Sequence, residues 1–301
     1  MARSSDPISL MDLAPELNIQ IFQALPNLWS AIALRQTCRE LNTIYLANEI
    51  SIRNKYRDRL VAAVDDYYTF LVSFYLDHRA LRRPPPSGWP AIPLEKTSRP
   101  DKDFLLDVAR HLPYIAGGLD DDRLNIDYKC RPIDYSSGYS RREDVMDLRY
   151  EWSIDDTTGF MRQRDPSIVD QFLQLTEGYE SGGISLFLDT MTGRVIVDYI
   201  RMTTREEGDV AEYFEDLKEK FRSLTFVPVV GHEQHGVDEK LISEYGHLEQ
   251  ADFLAQTEPA WTIIDTLWAR SLYREFGWPG PGYQKEEALR AIEQYRQQRR
   301  G

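Results

Sequence analysis

Residues 13–41 read LAPELNIQIFQALPNLWSAIALRQTCREL, and their spacing predicts three short helices. Pro15 suits the first position of a helix, and Glu16 suits the positive end of the helix dipole. On the first helix, apolar side chains cover roughly twice the stripe of about 100° that an ordinary surface helix needs. One side of that helix can pack on its own domain, so the other side needs a second surface.

The next two predicted helices are also rich in apolar residues. The second helix carries them on different sides, whereas the third carries a single apolar stripe of Cys38, Leu41, Ile44 and Tyr45. Three helices in under about 40 residues bury too little apolar surface to be stable alone. They must be covered by the rest of the chain or by another protein, and the pattern alone leaves both alternatives open.

The same residues resemble the F-box, a family of short helical modules. The resemblance covers residues 8–48 and departs from the family pattern at two positions. Ala14 separates the entry leucine from its proline, and Leu41 stands where many members have tryptophan. The matching residues, in chain order, are Leu13, Pro15, Glu16, Leu17, Ile21, Phe22, Leu25 and the stretch Ala33–Leu41.

Members of the F-box family bind a Skp-type adaptor, which links them to a cullin and a RING subunit of a ubiquitin ligase. The resemblance implies that this chain is a substrate receptor of such a ligase and not an enzyme, with no catalytic, cofactor-binding or metal-binding residues. An F-box protein that regulates other proteins without ubiquitin transfer is the alternative. The residues expected at the adaptor are Leu13, Pro15, Glu16, Ile19, Ile21, Phe22, Leu25, Leu28, Leu34, Cys38 and Leu41.

The complete chain is expected to be mainly α-helical with a small antiparallel β element, which is an α+β fold. Residues 8–48 form the F-box in this prediction, and residues 49–301 form a C-terminal domain that binds an unidentified protein substrate. Apolar residues at three- and four-residue steps predict a long helix near Ser51–Leu81, because they form one continuous face. A proline run ends that helix, and a proline-rich strap is expected over residues 84–100.

Local patterns predict the remaining elements of the C-terminal domain. Alternating apolar residues on both sides of a turn that ends at Gly193 predict a β-hairpin over Ile184–Ile200. Asp101 and Asp165 suit the caps of two helices, the second of which is expected to reach Leu175. The other predictions are a strand at Phe226–Val230 and helices at Glu206–Leu224, Glu258–Phe276 and Gln284–Arg299.

The acidic composition and the low cysteine count limit the partners and the cell compartment that we expect for this chain. The chain has 36 Lys and Arg against 49 Asp and Glu, so its net charge of −13 disfavours binding to nucleic acid or an anionic membrane. It has only two cysteines, no signal-like apolar segment at the N-terminus and no apolar run of membrane-spanning length. We therefore expect an intracellular protein, cytoplasmic or nuclear.

Three histidines, at positions 232, 235 and 247, are the group that suggests metal chemistry. His232 and His235 are three residues apart between two glycines, whereas paired zinc ligands on one helix face are four apart. A solvated loop is therefore the favoured interpretation of this segment. A metal-dependent enzyme that uses residues 231–247 is the less favoured alternative.

An aromatic cluster lies near the C-terminus, and core packing is its favoured interpretation over a recognition surface. Within it, Trp278-Pro279-Gly280 resembles the tails of F-box proteins from filamentous fungi. The cluster consists of Trp261, Trp268, Tyr273, Phe276, Trp278 and Tyr283.

Overall fold

The computed structural model describes residues 10–92, 100–116, 124–137, 153–154, 161–162, 171–200, 204–229, 235–245, 249–257 and 261–300. Its fold is α+β, as the sequence predicts. The α-helices are α1 (Pro15–Ala24), α2 (Leu28–Arg35), α3 (Arg39–Phe74), α4 (Pro100–His111), α5 (Val210–Ser223), α6 (Glu239–Tyr245), α7 (Gln250–Leu254), α8 (Ile263–Glu275) and α9 (Lys285–Arg300). Single turns of 3-10 helix lie at Leu10–Asp12, His78–Ala80 and Tyr135–Ser137.

The strands are short, and most of them belong to antiparallel pairs. They are β1 (Leu81–Arg82), β2 (Tyr114–Ile115), β3 (Cys130–Pro132), β4 (Ser153–Ile154), β5 (Met161–Arg162), β6 (Phe172–Gln174), β7 (Thr176–Gly178), β8 (Ile184–Asp189), β9 (Arg194–Tyr199), β10 (Thr204–Asp209), β11 (Phe226–Val227) and β12 (His235–Gly236). The largest sheet among the described residues has four strands in the order β10-β9-β8-β6.

Helix α3 is the longest element, with 36 residues. The sequence predicts a short third helix and a separate helix near Ser51–Leu81, and this division is wrong. Residues 39–74 contain neither glycine nor proline, so nothing interrupts the backbone hydrogen bonds between the two predicted helices. The expected boundary between residues 48 and 49 falls inside this continuous helix.

The end of α3 also differs from the prediction, because the helix stops before the proline run. The backbone N–H groups of Tyr75 and Leu76 both donate to the Leu71 carbonyl, at 2.9 and 3.0 Å. The ammonium group of Lys285 then donates to the Val72 carbonyl at 2.7 Å and to the Leu76 carbonyl. Since the last carbonyls of a helix lack partners within it, a lysine from α9 stabilises this end.

The predicted β-hairpin is confirmed by β8 and β9. Leu188 pairs with Val195, and Gly193 has the positive φ of 76° that the turn between them requires. Every side chain of β8 is buried, so both faces of the sheet are covered rather than one.

Two predicted helices are partly wrong, because short strands occupy their ends. Residues 206–209 lie in β10, and α5 begins only after Asp209, whose carboxylate accepts a hydrogen bond from the Ala211 backbone N–H at 3.0 Å. Phe172–Gln174 is strand β6, paired with β8, so the helix expected to reach Leu175 does not include these residues. Its expected start at Asp165 lies outside the described residues.

The two C-terminal helices are confirmed with shifted starts. The hydroxyl of Thr262 and the carboxylate of Asp265 form a capping box, which fixes the beginning of α8. The indole of Trp278 stacks on Phe74 with ring centroids 3.8 Å apart. The loop between α8 and α9 therefore packs on the end of α3.

The predicted proline-rich strap is described only over residues 84–92, where it forms neither helix nor strand. Trp89 attaches this segment to the fold through a hydrogen bond from its indole N–H to the Leu112 carbonyl at 2.9 Å. Residues 93–99 lie outside the described residues, and Pro100 already belongs to α4.

One cluster of buried apolar side chains extends from Phe22 in α1 to Tyr295 in α9. Helix α3 contributes ten buried side chains to this cluster. One of them, Tyr67, stacks on Phe214 of α5 with ring centroids 4.5 Å apart. The N-terminal helices therefore share their core with the rest of the chain.

Candidate partner-binding surface

The exposed large apolar side chains concentrate at the N-terminal helices. Six such side chains occur in the described residues, and five of them lie between residues 10 and 50. A contiguous apolar patch is a common sign of a binding surface, and among these side chains Leu46 and Ile50 line the same groove on α3. The exposed fractions are 39% for Leu10, 45% for Leu17, 56% for Trp29, 54% for Leu46, 78% for Ile50 and 42% for Leu254.

Helix α1 is held on α3 by its inner face. The ring of Phe22 packs edge-on against Tyr45 with centroids 5.5 Å apart, and the Tyr56 hydroxyl donates to the Phe22 carbonyl. Burial raises the pKa of Tyr56 to about 12, so this hydroxyl stays protonated and remains a donor. Leu17 lies on the outer side of the same helix, roughly 140° around the axis from Phe22.

Helix α2 is attached to the central sheet as well as to α3. The Trp29 backbone N–H donates to the Met191 carbonyl in the β8–β9 turn at 3.1 Å. Nearby, the guanidinium of Arg59 donates to the Pro26 carbonyl at 2.6 Å and to the Asp209 carboxylate at 2.8 Å. These contacts fix the N-terminal helices relative to the hairpin while the Trp29 side chain stays exposed.

A groove of about 610 Å³ runs along the outer face of α3 beside α1. Leu46, Ala47 and Ile50 supply its apolar part, and the amide of Gln23 closes one side by donating to the Ser51 hydroxyl at 3.1 Å. Leu46 and Ile50 are one helical turn apart, so they form a single apolar patch.

The eleven residues expected at the adaptor fall into three groups. Phe22, Leu28 and Leu41 are only 0%, 2% and 3% exposed, so they fill the chain's own core and present no surface to a partner. Two residues, Pro15 and Glu16, are exposed. The half-buried ones are Leu13, Ile19, Ile21, Leu25, Leu34 and Cys38.

Several exposed residues were missed by the sequence reasoning. Leu46 was absent because it lies outside the apolar stripe of the predicted third helix, and Ile50 was absent because it falls between that helix and the one predicted near Ser51. On a continuous helix these residues lie opposite the buried stripe that includes Tyr45, Ile52 and Tyr56. The helical periodicity that places Leu46 and Ile50 away from the buried stripe is therefore present in the sequence, but for Ile50 it can be applied only when α3 is treated as one continuous helix.

Asn18 is a polar residue buried within α1. It is 2% exposed, its amide donates weakly to the Leu13 carbonyl at 3.5 Å, and its amide oxygen has no hydrogen-bond partner among the described residues. An unpaired buried amide oxygen destabilises the folded chain by about 1 to 3 kcal/mol.

Cys38 has a structural role at the start of α3. Its sulfur accepts a contact from the Leu41 backbone N–H at 3.5 Å, in the position of a helix cap. Elsewhere, the described residues contain no group of three or more His, Cys, Asp or Glu side chains arranged to hold a metal ion. Of the three histidines considered for metal binding, His232 and His247 lie outside the described residues.

Comparison of the chain with protein-family models, with curated proteins and with solved structures finds no match. Within the described ranges, no helix combines the length and the apolar character needed to cross a membrane.

Proposed function

We propose that the N-terminal helices bind a Skp-type adaptor and that the chain is a substrate receptor of a cullin–RING ubiquitin ligase in the cytoplasm or nucleus. The observation that carries the proposal is the concentration of exposed apolar side chains between residues 10 and 50. The resemblance of residues 8–48 to the F-box names the partner that would cover them. Burying such side chains on another protein is favourable because it removes apolar area from water.

The accessible part of the predicted contact set supports this assignment. Pro15 and Glu16 are exposed, and six further residues keep part of their surface exposed, although Leu25, Leu34 and Cys38 among them also pack against the chain's own core. Leu17 and Trp29 are more exposed and extend the surface over α1 and α2. We infer that these two side chains enter the adaptor interface, where an aromatic residue is a typical energetic centre.

The rest of the chain would present the substrate. In this role the protein performs no bond chemistry of its own, and it raises the effective concentration of a substrate beside the ubiquitin-carrying enzyme. A receptor of this kind benefits from a fixed geometry between its two binding surfaces. The continuous helix α3 and the hydrogen bond from Trp29 to Met191 supply such a connection.

Co-expression of the full chain with a Skp-type adaptor tests the proposal. We expect a 1:1 complex that survives gel filtration, and we expect Leu17→Asp or Trp29→Asp to weaken it more than about a hundredfold, because a charge is buried unpaired at the interface. Leu254→Asp is the matched control, since Leu254 has nearly the same exposure as Leu17 but lies in α7. Absence of a complex at micromolar concentration, or equal loss with Leu254→Asp, would overturn the proposal.

Ubiquitin transfer is tested separately from adaptor binding. Proteins that co-purify with the wild-type chain in cells should accumulate when the Leu17→Asp/Trp29→Asp double variant replaces it, because their degradation stops. If the half-lives of these proteins are the same with both chains, the complex regulates or assembles its partners without marking them.

A further inference from the structure

A second open groove lies between α8 and α9, away from the N-terminal helices. Its volume is about 270 Å³. The floor is apolar, with Leu272 from α8, Phe276 directly after that helix and Ala291 from α9. The far side is closed by Tyr295, whose hydroxyl donates to the buried carboxylate of Asp265 at 2.6 Å. This contact holds the two helices at a fixed separation.

Apart from the Tyr295 hydroxyl, the polar side chains around this floor have no hydrogen-bond partner within the described residues. The indole N–H groups of Trp89, Trp261 and Trp278 all donate hydrogen bonds, at 2.9, 3.0 and 2.9 Å, whereas that of Trp268 makes none. The side-chain amides of two groove residues one turn apart, Gln294 and Gln298, are also unpaired. The groove therefore offers one indole donor and two amides that can bind the backbone of an extended peptide.

The charge of the groove selects the kind of peptide. Glu275 is the only charged residue that lines it, and its carboxylate has no ion-pair partner among the described residues. Glu275 is also the last residue of α8, where the helix dipole disfavours a negative charge. A Lys or Arg side chain of a ligand would relieve this unfavourable position.

We propose that this groove binds a short substrate segment in which an apolar side chain stands next to a lysine or arginine. The apolar side chain rests on Leu272, Phe276 and Ala291, the cation pairs with Glu275, and the free indole and amides bind the peptide backbone. The inference rests on the proposed function, because it assigns the substrate-binding site of the receptor. It requires no covalent step.

Selection of a phage-displayed library of random short peptides on the immobilised full chain tests this site. We expect enrichment of sequences with a basic residue beside an aliphatic or aromatic one. Synthetic peptides of the enriched sequence should then bind Glu275→Arg about fivefold more weakly, the size of effect expected for a partly exposed ion pair. Glu244→Arg, which changes an exposed glutamate of α6, is the control and should bind normally.

A steric variant separates the groove from the remaining surface. Gln294→Trp should block binding, because this exposed position lines the groove, whereas Gln297→Trp places the same bulk on α9 outside it. Both substituted positions are exposed, so the fold should tolerate each change. Equal binding by the two tryptophan variants would overturn the proposal, as would enrichment of acidic peptides.

Two further outcomes distinguish this inference from the proposed function. Concentration-dependent dimerisation that Gln294→Trp abolishes would show that a second copy of the chain occupies the groove, and would overturn the peptide assignment. Loss of the adaptor complex in the N-terminal variants does not depend on the groove. Peptide binding without adaptor binding would therefore refute only the proposed function. Adaptor binding without peptide binding would refute only the assignment of the groove as a peptide-binding site.

Discussion

The two halves of helix α3 have the same secondary structure but different surroundings. Around residues 60–74 the helix packs against α5 and the loop that carries Trp278, and even half-buried Phe70 lies 5.7 Å from the Trp278 ring. Around residues 39–58 the helix is covered by α1, by α2 and, at Arg53 and Arg57, by Phe104 and Asp107 of α4, while Leu46 and Ile50 remain exposed. Around residues 60–74 the exposed positions carry only small or polar side chains, at Ala62, Asp66, Thr69 and Ser73, so only the half around residues 39–58 leaves large apolar side chains open.

The largest expected difference between the halves is in stability. Phe74→Ala should lower the free energy of unfolding by about 3 to 5 kcal/mol, because it leaves a cavity beside Trp278. Ile50→Ala should change it by less than about 0.5 kcal/mol, since that side chain already contacts water. Denaturant unfolding of both variants checks this. Equal effects would mean that the open face is packed in solution.

A second prediction concerns the enclosed half, where Asp127 lies beside the core near α5. Burial raises the pKa of this carboxyl to about 6, although hydrogen bonds from the Tyr128 backbone and the Tyr213 hydroxyl, at 2.7 and 3.1 Å, oppose the shift. A raised pKa means that its contribution to stability is present below about pH 4 and is lost as the pH rises through 6. Asp127→Asn should therefore stabilise the chain at pH 7 by about 2 to 3 kcal/mol.

The measurement is the free energy of unfolding of both proteins between pH 4.5 and 7. The gap between the variant and the wild type should widen with pH across this range, because only the wild type has to ionise the buried carboxyl. A constant gap would show that Asp127 titrates normally. Asp189, whose pKa burial also raises, is common to both proteins and cancels in the comparison.

The smallest predicted effect on stability concerns Asn18, a buried residue of α1, the helix that packs on the open half of α3. Asn18→Ala should raise the free energy of unfolding by about 1 kcal/mol, because it removes a buried amide oxygen that has no partner. Asn54→Ala on the open face of α3 is the control for helix propensity alone. If the two variants are equally stabilised, the Asn18 amide is satisfied in solution, by water or by movement of residues 10–14.

The extent to which the sequence predicted the fold depended on local signals. Pro15 marked the start of α1 and Gly193 marked the hairpin turn, because each residue has a strong conformational preference of its own. The C-terminal end of α3 was misplaced because Lys285, which is distant in sequence, stabilises it. The continuity of α3 was missed although no glycine or proline separates the two predicted helices. Strand β10 was misassigned because its residues look helical, and pairing with β9 decided its conformation.

The candidate surface was predicted less completely than the fold. The helical pattern of residues 15–25 predicts excess apolar surface on α1, and Leu17 of that helix is 45% exposed. It did not show that Phe22, Leu28 and Leu41 would be used internally, since that depends on how α1 and α2 pack on Tyr45 and on the β8–β9 turn. Exposure at Leu46 and Ile50 followed from the unexpected continuity of α3. Sequence periodicity identifies an apolar face, whereas the fold decides which part of it stays open.

Hydroxyl-radical footprinting of the chain with and without a Skp-type adaptor shows whether the adaptor covers the exposed apolar side chains of α1 and α2. Leu17 and Trp29 should lose most of their oxidation when the adaptor is added, while Trp268 and Leu254 in the C-terminal helices keep theirs as internal references. Unchanged oxidation of Leu17 and Trp29 at saturating adaptor would show that the adaptor does not cover these side chains, and would overturn their assignment to the adaptor interface.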